Sequence, residues 1–259
     1  MSHPSIGIIG GGRIARILLG GWRCAGVDFA QVAVCEPDDA AFVALQTAAP
    51  STPLVRGEAT EVAKQTVVFL AVHPPQVPEA AAPIAGQLRE GAVAVSLAPK
   101  ITLAKLRSML GGFGRLARLI PNAPSLVGRG FNPIAWGDEL NDADRQLIRS
   151  ILAPLGELPE VEEETLEAYA ILAAMGPTYF WPQWLELESL AIEFGLQQDS
   201  ARRALCAMTV GALDMLASAG MKSDEVADLI PVKPLADFEP ELRAAYRGRL
   251  TALFEKIHP

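Results

Sequence analysis

A short strand-like run, Ile6-Gly7-Ile8-Ile9, passes without a linker into Gly10-Gly11-Gly12-Arg13-Ile14-Ala15, and a helical pattern follows over Arg13–Cys24. Each small residue in this GxGxxA turn meets a separate physical demand. Gly10 permits the tight turn, and Gly12 presents no side chain where a phosphate would approach. Ala15 is small enough to let helix and strand pack closely. The start of the helix then offers unpaired N–H groups and the positive end of its dipole to an anion. Set between a strand and a helix inside a βαβ unit, the turn is the one that cradles the pyrophosphate of a dinucleotide. Gly10, Gly12, Arg13 and Ile14 are therefore candidate cofactor-binding residues.

The second strand-like run ends at Cys35, which puts Glu36 where an acidic residue meets the adenosine ribose. The residues after it are Pro37, Asp38 and Asp39, with no neighbouring Arg or Lys to hold a 2′-phosphate. Two like charges about 5 Å apart at an effective dielectric near 40 repel by roughly 1.7 kcal/mol. NADH is thus modestly favoured over NADPH.

The rest of the first half keeps the same rhythm. Gln31–Cys35, Thr66–Val72 and Ala92–Leu97 read as strands, apolar on both faces as in a parallel sheet covered by helices. Asp39–Ala48, Gln76–Leu88 and Leu103–Leu110 read as the helices between them. Leu116–Ile120 and Asn132–Ala135 continue the sheet, and Asn141 caps a helix over Asp142–Leu155. From about Val161 strand signals give way to helical patterns over Glu162–Met175, Tyr179–Phe194 and Asp199–Ala219. Gly176-Pro177 should break the first of these, because proline lacks the N–H and disfavours helix in the residue before it. Pro182 stands in the first turn of the next helix or kinks it. The expected architecture is α/β: a Rossmann-type doubly wound sheet in residues 1–160, followed by an all-α domain in residues 161–259. The segment Ala170–Trp184 is too apolar for one face of an isolated helix, so a partner helix, naturally one from a second subunit, should cover it.

Composition excludes several classes. Half of the 259 residues are hydrophobic and 20% are charged, which argues against disorder. A net charge of −8 leaves no basic stripe for nucleic acid. Cys24, Cys35 and Cys206 cannot all pair and read as reduced thiols packed as small hydrophobes. The His, Cys and Asp residues show no metal-ligand spacing, so no metal is expected. Met1-Ser2-His3-Pro4 runs straight into the first strand with no secretion-signal pattern, and the apolar stretches are too short to span a bilayer. A cytoplasmic protein is expected.

Four blocks carry a resemblance to the pyrroline-5-carboxylate reductase family, which extends to roughly residue 215. They are the glycine loop, Val67–Pro74, Val95–Thr102 and Leu119–Gly128. Val67-Val68-Phe69-Leu70-Ala71-Val72-His73-Pro74 is similar to the family's strand ending in Ala-Val-Lys-Pro. Leu119-Ile120-Pro121-Asn122-Ala123-Pro124-Ser125-Leu126-Val127-Gly128 is similar to Met-Pro-Asn-Thr-Pro-Ala-Leu-Val-Gly. The resemblance implies hydride delivery from NAD(P)H to the C=N carbon of a cyclic imine in proline biosynthesis. It also implies a homodimer or an oligomer of dimers whose helical halves interlock. It adds Val72, His73, Pro74, Ala98 and Asn122 to the cofactor contacts and keeps the motif tyrosine as Tyr179, a catalytic candidate. Lys100, a cation where the family has Gly, is a second catalytic candidate of this chain's own, and Thr178 and Lys233 are its candidate substrate contacts.

The helical half departs from the family. Its Ser-Gly-Ser-Gly-Pro-Ala-Tyr stands here as Ala173-Ala174-Met175-Gly176-Pro177-Thr178-Tyr179. Its Ser-Pro-Gly-Gly-Thr-Thr segment is absent, and Leu229–Leu235 offers two prolines and Lys233 instead. Two other readings stay open beside the imine reductase: a paralogue acting on a different imine or carbonyl, and a dinucleotide-binding dimer without catalysis.

Overall fold

A computed structural model of the chain describes residues 4–29, 31–218 and 220–258. Residues 1–3, which begin the N-terminal reading, lie outside the described residues, as does Ala219 at the end of the third helical pattern. The elements up to the glycine loop and just beyond are β1 (Ile6–Ile9), α1 (Arg13–Cys24), β2 (Val32–Cys35) and α2 (Asp39–Ala48). Then come β3 (Leu54–Arg56), α3 (Ala59–Val62), β4 (Val67–Leu70), α4 (Val77–Ala81), β5 (Val93–Ser96), α5 (Leu103–Met109) and β6 (Leu116–Leu119). The last part of the sheet region contains β7 (Gly130–Phe131), β8 (Ile134–Trp136), α6 (Asp142–Leu152) and β9 (Gly156–Glu157). Helices α7 (Leu166–Tyr169), α8 (Pro177–Glu193), α9 (Gln198–Ser218), α10 (Ser223–Asp228) and α11 (Glu239–Ile257) complete the chain.

Seven strands form one sheet in the order β3-β2-β1-β4-β5-β6-β8. The first six run parallel and β8 pairs antiparallel to β6, which is the Rossmann-type sheet expected. The chain leaves β3 on one side of β1 and re-enters at β4 on the other, so a crevice opens at the carboxyl ends of these strands. The two-residue periodicity of the strands divides the core. Ile6, Ile8, Val32, Val34, Phe69 and Val95 pack with α1 and α6, while Ile9, Ala33, Val68, Leu70 and Ala94 pack with α3, α4 and α5. That two-sided burial is why the strands read as unbroken apolar runs.

Local chemistry fixes the helix starts. The Asp38 carboxylate accepts from Ala41 N at 2.7 Å, and the Thr102 hydroxyl accepts from Lys105 N at 3.2 Å. Asn141 and Asp144 form a reciprocal capping box at α6. Helix α1 has no side-chain cap and no acid in its first turn, which leaves its N-terminus open toward the crevice.

Three expectations need correction. The helix read over Gln76–Leu88 is instead the short α4 between two 3-10 turns, because Pro78 and Pro83 remove the N–H groups a longer helix would need. The pattern over Glu162–Met175 is a 3-10 turn, then α7, then a π-helical turn at Ala170–Ala174, closed by Met175 N donating to Ala170 O at 3.0 Å. Cys24 and Cys206 are exposed rather than packed, and Cys35 is half-buried; all three thiols are free.

The chain divides into two compact units, one running through Met175 and also taking in the residues from Leu253 on, the other Gly176–Ala252. In the second, α8 starts at Pro177 and carries Pro182 in its interior. Glu188 on α8 accepts from Arg202 of α9 at 2.7 Å. No residue of α8 is buried, and Phe180, Trp181, Leu185, Leu213 and Leu216 are exposed. Among the described residues no helix is long and apolar enough to cross a membrane.

Candidate dinucleotide site

The carboxyl ends of β1, β4, β5 and β6 surround a cleft of about 700 Å³ in the first unit, a size suited to a small-molecule cofactor. Gly10, Gly12, Arg13 and Ile14 line it, as do Glu36, Val72, His73 and Pro74. The far wall is Ala170, Ala174 and Met175 of the π-turn.

The glycine loop fits a phosphate for reasons visible in its geometry. Gly10 has φ +97°, and a Cβ there would lie 2.8 Å from Ala71 O. A Cβ on Gly12 would meet nothing within 4 Å, so that glycine is not required by the protein's own packing. Space kept open at the uncapped start of a 12-residue helix is what a bound anion would use.

Glu36 is half-buried with both carboxylate oxygens engaged. One accepts from Gly11 N at 2.6 Å and the other from Asp38 N at 2.8 Å. Beside it stands a cation that the sequence reading missed. Arg56 on β3 pairs in register with Val34 of β2, and its Nε donates to Glu36 O at 2.8 Å. The expectation that no Arg or Lys neighbours Glu36 is therefore corrected. The parallel β2–β3 pairing brings in a residue 20 positions away. Cys35, just before Glu36, has its thiol pushed up by burial and then by Glu58 and Glu36, which keeps it protonated near neutral pH.

The remaining candidates fall elsewhere. Ala98 is buried between Leu97 and Pro99, which line the cleft, and is not itself in the wall. Asn122 is also outside the lining. Its Nδ2 donates to Ala173 O at 3.2 Å and its Oδ1 accepts from Phe131 N at 3.1 Å, so its side chain ties the β6 loop to the π-turn. Lys100 is not a lining residue; its Nζ lies 3.2 Å from Lys256 O. Its backbone is left-handed, φ +72°, the only such non-glycine residue among those described. Lys100→Gly should relieve that strain and raise stability by about 0.5–1 kcal/mol, after the added freedom of the unfolded chain is offset. Thermal denaturation checks this, and a clear loss would mean the Nζ contact outweighs the strain. Thr178, Tyr179 and Lys233 belong to the second unit. Tyr179 meets Tyr246 edge-on at 6.0 Å, and burial, then Tyr246, pushes its phenol above the usual range. Thr178 and Lys233 are exposed.

Sheet order and glycine turn define a Rossmann-type α/β protein with a helical C-terminal segment. Residues 5–100 match the family model described as NADP oxidoreductase, coenzyme F420-dependent. Over nearly its whole length the chain is similar to pyrroline-5-carboxylate reductases. It is 26% identical to the Pseudomonas aeruginosa enzyme, with 99% of this chain and 93% of that one covered. It is 28% identical to the Haemophilus influenzae enzyme over 83% of this chain and 79% of that one. In fold it is similar to the Plasmodium falciparum pyrroline carboxylate reductase solved with NADP bound, at TM-score 0.81, 19% identity and 98% coverage of both chains. The Coxiella burnetii pyrroline-5-carboxylate reductase aligns at TM-score 0.69 and 24% identity, over 98% of this chain and 94% of that one.

Proposed function

We propose that this chain is an NAD(P)H-dependent reductase that delivers hydride to the C=N carbon of a cyclic imine, with pyrroline-5-carboxylate as substrate in proline biosynthesis. The observation that carries the proposal is the cleft built on an uncapped helix start, with unoccupied space over Gly12. The pyrophosphate of the cofactor would be held by Gly10, Gly12, Arg13 and Ile14, and the adenosine ribose by Glu36. Val72, His73 and Pro74 stand at the β4 end of the same cleft. When bound, the dinucleotide supplies the hydride. The apolar wall of Ala170, Ala174 and Met175 would shield a bound imine from water, which otherwise hydrolyses it. Tyr179, whose phenol is pushed above its usual range and so keeps its O–H at neutral pH, is proposed as a hydrogen-bond donor to the substrate.

Residues 1–160 would bind the cofactor, and residues 161–259 would form the substrate and dimer region. The exposed Phe180, Trp181, Leu185, Leu213 and Leu216 support a homodimer, since a face this apolar calls for a protein partner. Free thiols at Cys24, Cys35 and Cys206 fit the reducing cytoplasm. One observation favours a second reading, a paralogue acting on another imine or carbonyl. Where the family has a glycine-rich segment of N–H donors, this chain has Leu229–Leu235, with Leu229, Ile230, Val232 and Leu235 exposed.

Purified protein given pyrroline-5-carboxylate should oxidise NADH or NADPH with kcat/KM above about 10⁴ M⁻¹s⁻¹, within the ordinary range for an enzyme on its own substrate. Tight dinucleotide binding without turnover of this imine would overturn the substrate and favour the second reading.

A further inference from the structure

The β2 end of the cleft carries more information than a single acid. Glu36 is pinned on both oxygens by backbone donors, Gly11 N and Asp38 N. The first of these comes from the glycine loop itself, so the carboxylate and the loop are locked together. A Cβ on Gly11 would lie 2.9 Å from Glu36 Cγ and 3.1 Å from Glu36 Cβ. The buried Gly11 is thus the space that Glu36 occupies, and the two residues are coupled.

Next to them is a second, smaller cleft of about 420 Å³, lined by Cys35, Glu36, Pro37, Arg56, Gly57 and Glu58. Its single cation is committed elsewhere. Arg56 Nη1 donates to Asp39 Oδ1 at 2.6 Å, Nη2 to Pro37 O at 2.7 Å, and the guanidinium lies over the Phe42 ring at 5.2 Å. The acids Glu36 and Glu58 remain in the lining, while Asp39 meets the charge of Arg56. A neutral ribose 2′-hydroxyl can donate to such a rim, whereas a 2′-phosphate would bring a dianion to it.

We infer that the Gly11–Glu36 pair and the Arg56–Asp39 pair together set the cofactor choice: Glu36 accepts the 2′-hydroxyl of NADH, and Asp39, together with the Glu36 and Pro37 carbonyls, holds Arg56 away from a 2′-phosphate. Arg56 is then a latent phosphate site, latched by an exposed carboxylate. This inference rests on the dinucleotide reading of the cleft. It adds Gly11, Asp39 and Arg56 as specificity-determining residues that touch the ribose end and leave the reacting end alone.

The test is binding in the absence of imine, by isothermal titration at low and at moderate salt. Parent protein should bind NADH at least tenfold more tightly than NADPH, and ADP-ribose more tightly than its 2′-phosphorylated form by a similar ratio. Higher salt should narrow that ratio, because the discrimination is between charges. Glu36→Gln should bring the two cofactors to within about threefold of each other, since the repulsion goes while the side-chain shape stays. Asp39→Ala should tighten NADPH about threefold with NADH unchanged, a modest gain because the Arg56–Asp39 pair is solvent-exposed. Equal binding of NADH and NADPH by the parent, or a ratio unmoved by Glu36→Gln, would overturn the inference while leaving the dinucleotide site standing. Failure to bind either cofactor or either fragment would remove the cleft reading, and the inference with it.

Discussion

Arg118→Ala is expected to destabilise the sheet-containing unit by about 3–5 kcal/mol, the cost of leaving the buried Glu167 carboxylate, and the partly buried Glu163 beside it, without their cation. Arg118 projects from β6 and is fully buried. Its Nη1 donates to Glu163 Oε1 at 2.9 Å, and its Nη2 to Glu167 Oε1. Those same oxygens accept from backbone: Glu163 from Leu103 N at 2.7 Å and Glu167 from Lys100 N at 2.8 Å. The cluster therefore joins β6, the start of α5 and the start of α7. Remove the guanidinium, and Glu167, itself fully buried, keeps only one N–H donor among the described partners. For a unit of this size the loss should lower the melting temperature by roughly 10 °C. Urea unfolding is the check. The midpoint should fall with little change in slope, and replacing Arg118, Glu163 and Glu167 together by apolar residues should recover part of the loss. A single-mutant cost under about 1 kcal/mol would mean that water reaches the carboxylates. The cleft should respond as well, since Glu163 and Glu167 begin the segment whose Ala170, Ala174 and Met175 form its far wall.

Nothing in the strand reading of Leu116–Ile120 singled out that arginine, although two signals were present. A lone charge inside an apolar run must find a partner when both sheet faces are covered. Glu163 and Glu167 stand four residues apart, the spacing that puts two side chains on one helix face. The central strands were legible because burial on both faces demands continuous apolar residues. Strand β3 was not: it has three residues and one neighbour, and half-exposes Val55, so neither length nor pattern marks it. The missing strand explains the missing Arg56, whose approach to Glu36 exists only through β2–β3 pairing. The glycine loop and Glu36 were readable because their demands are local, a backbone angle and the end of a strand. Ala98 and Asn122 enter only through the family resemblance, and there the direction of each side chain decides. Asn122 faces Phe131 and Ala173, and Ala98 is covered. In Gly176–Ala252 apolar residues surround the helices on several sides, so periodicity cannot mark a core face.

Two of the loop's three glycines, Gly10 and Gly12, separate folding from binding, and the comparison between them is the sharpest test of the cleft. Gly10→Ala should damage both. Its φ of +97° is strained for any L side chain, and its methyl would meet Ala71 O and Val72 Cγ1 at 2.8 Å. Strain and overpacking against backbone together should cost about 2–4 kcal/mol. Gly12→Val should behave differently. The backbone there, φ −68° and ψ −166°, is extended and suits a β-branched residue, and a Cβ has open space on every side. Stability should therefore stay within about 1 kcal/mol of the parent, the cost of a poorer residue at the helix cap. Affinity for NADH should nonetheless fall by about 100-fold, because the side chain fills the place where the pyrophosphate meets the helix N-terminus. Melting temperature and titration on the same samples give the two readouts. A stable Gly12→Val protein that no longer binds would locate the pyrophosphate at this turn without recourse to turnover. If it bound NADH as tightly as the parent, the pyrophosphate would lie elsewhere, and the space kept open over Gly12 would need another occupant.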